Sequence, residues 1–349
     1  MLSRRAFLRT SALPMLLQAG LRGQTSAAAP KAQTTRPNLL LIDRDRILAR
    51  ARQALDRPLS QDRRVGGDAF LNFTLDLPAL SAACVVNGDR APDYLRKARA
   101  LLNAWFISRE TCLSSTPALP SFEVLTPRSA LAEVAVALPS LDLPPEDMTE
   151  LREWFRQTLA WMSSDRTALL ARDARNHHAS AWLLQVSAFA RLVNDESVLT
   201  EQRHRFKKEI LRAQINAEGL FRNDLEGANP FRDSLYNLDL LAGSAMLLST
   251  RFDSLWTYEL PDGPGLRTAI ARYAAFIAAP ATWPYPADAS HFADLPGRRP
   301  ALLFAGRAYS EPDYVALWSR LNPDPTEPSI LRAFPIRQPL LWVQQKPAS

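Results

Sequence analysis

The chain has 349 residues, with 47% hydrophobic and 22% charged, an ordinary globular balance with room for a sizeable core. Of the 42 basic residues, four are arginines within the first 29 positions, so the remainder holds 38 bases against 36 acids and is close to neutral. The high isoelectric point therefore lends no support to a nucleic-acid partner. The two cysteines, Cys84 and Cys112, form neither a disulfide framework nor a zinc pattern and are expected as two partly buried thiols.

The chain opens on Ser3-Arg4-Arg5-Ala6-Phe7-Leu8-Arg9, then a modest apolar stretch from Ala12 to Leu21 and the small residues Thr25 to Ala29. That order predicts a twin-arginine signal peptide over residues 1–29, with the folded domain over 30–349 and a periplasmic or secreted location. The apolar stretch falls well below the roughly 18 residues a membrane span needs, so no span is expected once the signal is removed.

Short strands are expected at Asn38 to Ile42 and at Leu340 to Val343. Between them helices dominate. Pro92 to Ser108 places Leu95, Ala98, Leu101, Leu102 and Trp105 at helical spacing. Ala130 to Leu141 follows. Pro144-Pro145-Glu146-Asp147 opens a helix reaching about Met162, with prolines and acids where a first turn favours them. Further helices are expected over 178–194, 200–216, 233–250, 264–278 and 311–321. The 27 prolines cluster between them, at Pro117 to Pro120, Pro261 to Pro264, Pro280 to Pro286 and over 322–339. Paired helices joined by Pro-rich loops point to an all-α chain, an α/α toroid or helical array.

Two of only four histidines are adjacent in Asn176-His177-His178. Trp182, Val186, Phe189 and Val193 then recur at helical spacing, which places the pair at a helix N-terminus. Helix starts gather N–H groups that favour anions. Their positive end disfavours an imidazolium, and a neutral imidazole is what proton abstraction requires. Downstream, Arg232 and Tyr236 are four apart, so both share one face if that turn is helical.

Asn-His at a helix entry followed by a Trp resembles the Asn-Asn-His motif of the alginate lyase superfamily, whose fold is the α/α toroid. Ala104-Trp105-Phe106 with Thr111, Leu151 to Phe155 with Trp161-Met162, Asp262 to Arg267 with Trp283-Pro284-Tyr285, and Pro339 to Trp342 are similar to further segments of that family, in order, over roughly residues 37–343. The resemblance implies β-elimination on an acidic polyuronate such as alginate or glucuronan, with no cofactor. A base takes the proton at C5, fixed donors hold the carboxylate, and an acid protonates the departing oxygen at C4. It implies that Asn176 holds the carboxylate, that His177 is neutraliser or base, and that Tyr236 moves protons beside Arg232. His178, outside the family motif, is a substrate-binding candidate, as are Trp182, Trp105, Arg222 and Tyr258. One departure stands. The family often has an arginine upstream of its tyrosine, where this chain has Asn229, and a second register puts Asp233 at the tyrosine position.

No metal site is expected: the histidine pair lacks the i, i+4 spacing of a zinc helix, neither cysteine is suitably spaced, and there is no phosphate loop, dinucleotide fingerprint or nucleophile elbow. Two other readings stay open. A glycoside hydrolase on a similar toroid needs two carboxylates across the cleavage point, with Asp173, Asp224 and Glu226 near the motifs. A non-catalytic polyuronate-binding protein needs none of the proton-transfer groups; on every reading a monomer is expected.

Overall fold

The computed structural model describes residues 39–86, 90–261 and 263–343. The expected signal peptide, Asn38 and Asp262 lie outside the described residues. The helices are α1 Leu39–Asp56, α2 Asp68–Val85, α3 Ala91–Leu102, α4 Leu125–Arg128, α5 Leu131–Ala137, α6 Pro145–Met162, α7 Arg166–Arg172, α8 His177–Val193 and α9 Glu196–Arg205. They continue with α10 Leu211–Gln214, α11 Arg222–Leu225, α12 Pro230–Leu248, α13 Leu266–Ala278, α14 Pro300–Ala308, α15 Pro312–Arg320, α16 Pro328–Arg332 and α17 Pro339–Val343. The expected helices all form, the one over 92–108 continuing past α3 as a π turn at Asn103–Ile107, the one over 130–141 ending in a 3-10 turn at Leu138–Ser140, and the one over 200–216 formed by α9 and α10 joined through a π turn at Phe206–Ile210.

The prolines that stop helices also start them. Pro145, Pro230, Pro300, Pro312, Pro328 and Pro339 each occupy the first position of a helix, where the missing N–H costs nothing. Side chains cap other starts: Asp165 accepts from the N–H groups of Thr167 (2.9 Å) and Ala168 (3.1 Å), and Asp195 from that of Val198 (3.1 Å). Asn194 closes α8 with φ of 59°, a left-handed cap that asparagine tolerates.

The expected strands are not present. Leu39 and the residues after it begin α1, and Leu340 to Val343 lie in α17. A short apolar run has no periodicity that separates strand from buried helix, and packing chose helix. Among the described residues the only β contacts are two isolated bridges, Ile215 with Phe221 and Glu259 with Gly265. Helices α2, α4, α7, α11, α14 and α16 were not expected, α16 falling within the 322–339 stretch read as connector, and α2 carries Pro78 in its interior.

Packing runs in a chain of inner helices. Helix α2 packs on α5, α5 on α8, α8 on α12 and α12 on α14. Partners lie along the outside: α1 and α3 on α2, α6 and α9 on α8, α13 on α12, α15 on α14. This is the (α/α) toroid. The inner helices are apolar on every side because both faces are covered: all of α5 and nearly all of α8 are buried. The outer α3 keeps a single apolar stripe at Tyr94, Ala98, Leu101 and Leu102.

The C-terminal segment closes the inner face, with α17 touching α2, α5 and α12. Gly243 on α12 makes room for it, since a Cβ there would meet Ile336 Cδ1 at 2.6 Å and Leu184 Cδ1 at 3.0 Å. Glu133, fully buried on α5, fixes the segment by accepting from the N–H groups of Arg337 (2.8 Å) and Gln338 (2.7 Å) and from Trp342 Nε1 (3.2 Å). Burial pushes the Glu133 carboxyl above its ordinary range. A second buried anchor joins α12 to α14: Arg299 Nη1 donates to Asp239 at 3.0 Å, and burial still raises Asp239 to about 6. Cys84 and Cys112 are half-buried free thiols.

Candidate active site

The site is built where α8 and α12, the most closely associated pair of inner helices, begin on the same side. Asn176 is the N-cap of α8, and its Oδ1 accepts from the His178 N–H at 3.2 Å. That leaves the His177 N–H to find an acceptor elsewhere, and it donates to Asp224 Oδ1 at 3.0 Å. The same oxygen lies 2.8 Å from His177 Nδ1. The other Asp224 oxygen accepts from Asn237 Nδ2 at 2.6 Å.

Asp224 is thus a buried acceptor for three N–H groups. The short helix α11 carries it there, pinned by Asn223 Nδ2 donating to the Arg175 carbonyl at 2.7 Å and by Phe221 stacked on Tyr273. Gln214 extends the network, accepting from Asn237 Nδ2 (2.8 Å) and the Ser180 hydroxyl (3.1 Å) and donating to the Asn176 carbonyl (3.2 Å). An acceptor at Nδ1 fixes the imidazole tautomer: Nδ1 carries hydrogen, and Nε2 is the free base on the far edge of the ring.

His177 faces a cleft of about 330 Å³, a size usual for small-ligand sites. Arg232, Asp233 and Tyr236 line it from the first two turns of α12, Thr126 and Ser129 from the α4 end, Phe70 and Thr74 from α2, and Arg332, Phe334 and Arg337 from the C-terminal segment. The Tyr236 ring meets that of His177 edge-on at 6.0 Å. Its hydroxyl donates to the Thr126 carbonyl at 3.2 Å and pairs with the Ser129 hydroxyl. Burial pushes the Tyr236 phenol up to about 12, so it stays protonated at mild pH. Asp288 organises the start of α12 by accepting from the N–H groups of Phe231 (3.3 Å) and Arg232 (2.9 Å). Arg232 Nε donates to Asp233 at 3.2 Å, and burial raises the Asp233 carboxyl. Three arginines and a histidine against one carboxylate make the lining favourable to an anion.

The sequence candidates divide. His177, Arg232 and Tyr236 meet in the cleft. His178 sits behind it, with Nδ1 2.5 Å from Thr126 Oγ1 and its ring against the edge of Phe122. Burial and then the charge of His177 lower His178 to about 4. Asn176 holds the cap beside them. Trp182 is 2% exposed, and its Nε1 donates to the Met162 carbonyl, which makes it core. Trp105 is 3% exposed and stacked on Phe73 at 4.7 Å, outside the cleft. Arg222 is exposed at the start of α11, and Tyr258 lies under Lys207 Nζ (5.2 Å); neither lines the cleft. The sequence reading missed Asn237, Gln214, Arg332 and Arg337, and gave Asp224 only a hydrolase role. Asn237 alone carried a signal, as the neighbour of Tyr236 on a predicted helix.

Among the described residues no cluster of three or more potential metal ligands forms, and no helix is long and apolar enough to cross a membrane.

A family model described as alginate lyase matches residues 24–283. A crystal structure of an alginate lyase from Bacteroides ovatus superimposes with a TM-score of 0.72, covering 87% of this chain and 94% of that one at 17% identity, which shows a shared fold. No curated protein matches the chain at a significant level. With well over half of the chain matched by the family model, and its helices closing the same toroid, the chain belongs to the alginate lyase family and is a polysaccharide lyase.

Proposed function

We propose that the chain is an exported lyase that cleaves an acidic polyuronate by β-elimination, with His177 as base and Tyr236 as acid. The observation that carries this reading is the pair His177–Asp224, joined at 2.8 Å, facing an arginine-lined cleft beside a protonated tyrosine. Asp224 accepts a hydrogen bond from Nδ1–H, which leaves Nε2 free to receive the C5 proton of the uronate. The electron pair left at C5 forms the C4–C5 double bond, and the C4–O bond breaks. The leaving oxygen takes its proton from Tyr236 Oη, whose raised pKa keeps that proton in place until it is needed. Arg232 steadies the carboxylate while charge develops on it. Asn176 is not among the residues that line the cleft, but with Oδ1 committed to the cap beside His177 its amide N–H groups remain to turn towards the same carboxylate. The relative's printed name supports alginate as substrate. The twin-arginine segment supports export to the periplasm or beyond.

The hydrolase reading loses ground. It needs two carboxylates facing the scissile bond. Among the described residues Asp233 is the only acidic one lining the cleft, and Asp224 is sealed beneath His177 with a side chain 0% exposed.

The test is ultraviolet absorbance of the unsaturated uronate, using the purified mature protein on polymannuronate, polyguluronate and glucuronan. A rise on one polymer that is absent in His177→Ala is the expected result and names the substrate. New reducing ends without the absorbance would overturn elimination.

A further inference from the structure

A second cavity, of about 60 Å³, shares Phe334 and Arg337 with the cleft. Five arginines line it, Arg46, Arg50, Arg57, Arg298 and Arg337, against three aspartates. Each aspartate is already engaged. Asp43 accepts from Arg46 and Arg298, both at 2.9 Å; Asp324 accepts from Arg50 at 3.0 Å; Asp76 pairs with Arg57 at 2.5 Å. The lining therefore carries two more guanidinium groups than carboxylates, and the one further acid beside it, Glu133, already accepts from the Arg337 backbone N–H.

The hydrogen-bond inventory points the same way. Arg46 Nε, Arg298 Nε, Arg337 Nη1 and Trp318 Nε1 are buried and find no acceptor on the protein, and all four belong to residues lining this cavity. Trp318 is only 1% exposed. All four atoms are donors. Buried donors without partners are costly and rare, and four of them on residues that line one space, beside its surplus guanidinium groups, favour an acceptor-rich occupant there. Charge-assisted bonds from guanidinium to an anionic oxygen are the strongest available. The space far exceeds the roughly 10–15 Å³ that a water needs, yet it is well below the roughly 300 Å³ of ordinary organic-ligand pockets. It admits a small ion and excludes a sugar ring.

We propose that this cavity binds a small inorganic oxyanion of phosphate or sulfate size. It would join Arg46 of α1 to Arg298, Trp318 and Arg337, segments of the chain that are far apart in sequence. Arg337 also forms part of the cleft wall, so the same ion would set the position of that wall.

The test is calorimetric titration and thermal denaturation of the whole protein with inorganic phosphate and with sulfate, at fixed ionic strength against sodium chloride. The expected result is saturable binding at one site, with a rise in Tm of about 2 °C at tenfold excess over Kd. Arg46→Gln should weaken that binding about tenfold or more. Trp318→Phe removes one neutral donor from the same wall with little change in shape and should weaken it severalfold. It decides the question if Arg46→Gln does not fold. The proposal is overturned if the parent shows no saturable binding, if chloride gives the same shift, or if Trp318→Phe binds with the parent's Kd. None of these readings depends on lyase activity.

Discussion

Replacing Asp224 by Asn tests the centre of the proposed mechanism, because it changes one atom in a buried site of known geometry. The carboxylate accepts from His177 N at 3.0 Å, lies 2.8 Å from His177 Nδ1, and accepts from Asn237 Nδ2 at 2.6 Å. An amide in the same place has one oxygen and one NH₂. If the oxygen stays on His177, the NH₂ confronts Asn237 Nδ2, donor against donor. If the amide flips, the NH₂ confronts the His177 backbone N–H, and Nδ1 must become an acceptor. The ring hydrogen then moves to Nε2, where the base is needed. Either arrangement leaves at least one buried donor unpaired, at about 1–3 kcal/mol, and removes charge-assisted bonds of similar worth, so a loss of about 2–4 kcal/mol in stability is expected. Misplacing the tautomer of a base costs activity by about 10²–10⁴-fold. Initial rates from the unsaturated-uronate absorbance, beside a denaturation midpoint for the same preparation, separate the two effects. A folded Asp224→Asn protein within about threefold of the parent rate would refute His177 as the base.

Three further outcomes are expected. Tyr236→Phe should lower the rate by about 10²-fold or more while polymer binding persists; a rate near the parent's would remove Tyr236 as the acid. It should cost only about 1–2 kcal/mol in stability, for the hydroxyl bonds to Thr126 and Ser129. His178, lowered from 6.5 to about 4 chiefly by burial, binds its proton less readily folded than unfolded. Its contribution is therefore present above about pH 6.5 and lost as pH falls towards 4; for a half-buried ring it amounts to about 1–2 kcal/mol. His178→Gln should flatten that limb in denaturant midpoints taken from pH 7 to 4, and curves parallel to the parent's would count against it. Trp105→Ala should destabilise by about 3–5 kcal/mol through loss of the Phe70 and Phe73 contacts. KM should not change at temperatures where the variant stays folded, and a raised KM would return Trp105 to the substrate.

Periodicity and punctuation in the chain were enough to give about half of its helices, the longer and more regular ones, because an amphipathic or fully apolar helix repeats its pattern every three to four residues and proline marks its ends. They also placed Asn176, His177 and His178 at a helix start, and Arg232 and Tyr236 on one helix, since those relations are local. Short apolar runs were beyond them. The residues of α17 became helix where α2, α5 and α12 cover them, and those from Leu39 entered the start of α1. What only the tertiary structure decided is which residues meet. Asp224 reaches His177 across 47 positions, and Arg337 enters the cleft from the far end of the chain, held by Glu133. Trp105 and Trp182 have the composition of sugar platforms, but packing turned them into the core. The chemistry of the site depends on these long-range juxtapositions, which arise when the toroid closes and leave no spacing in the sequence to be read.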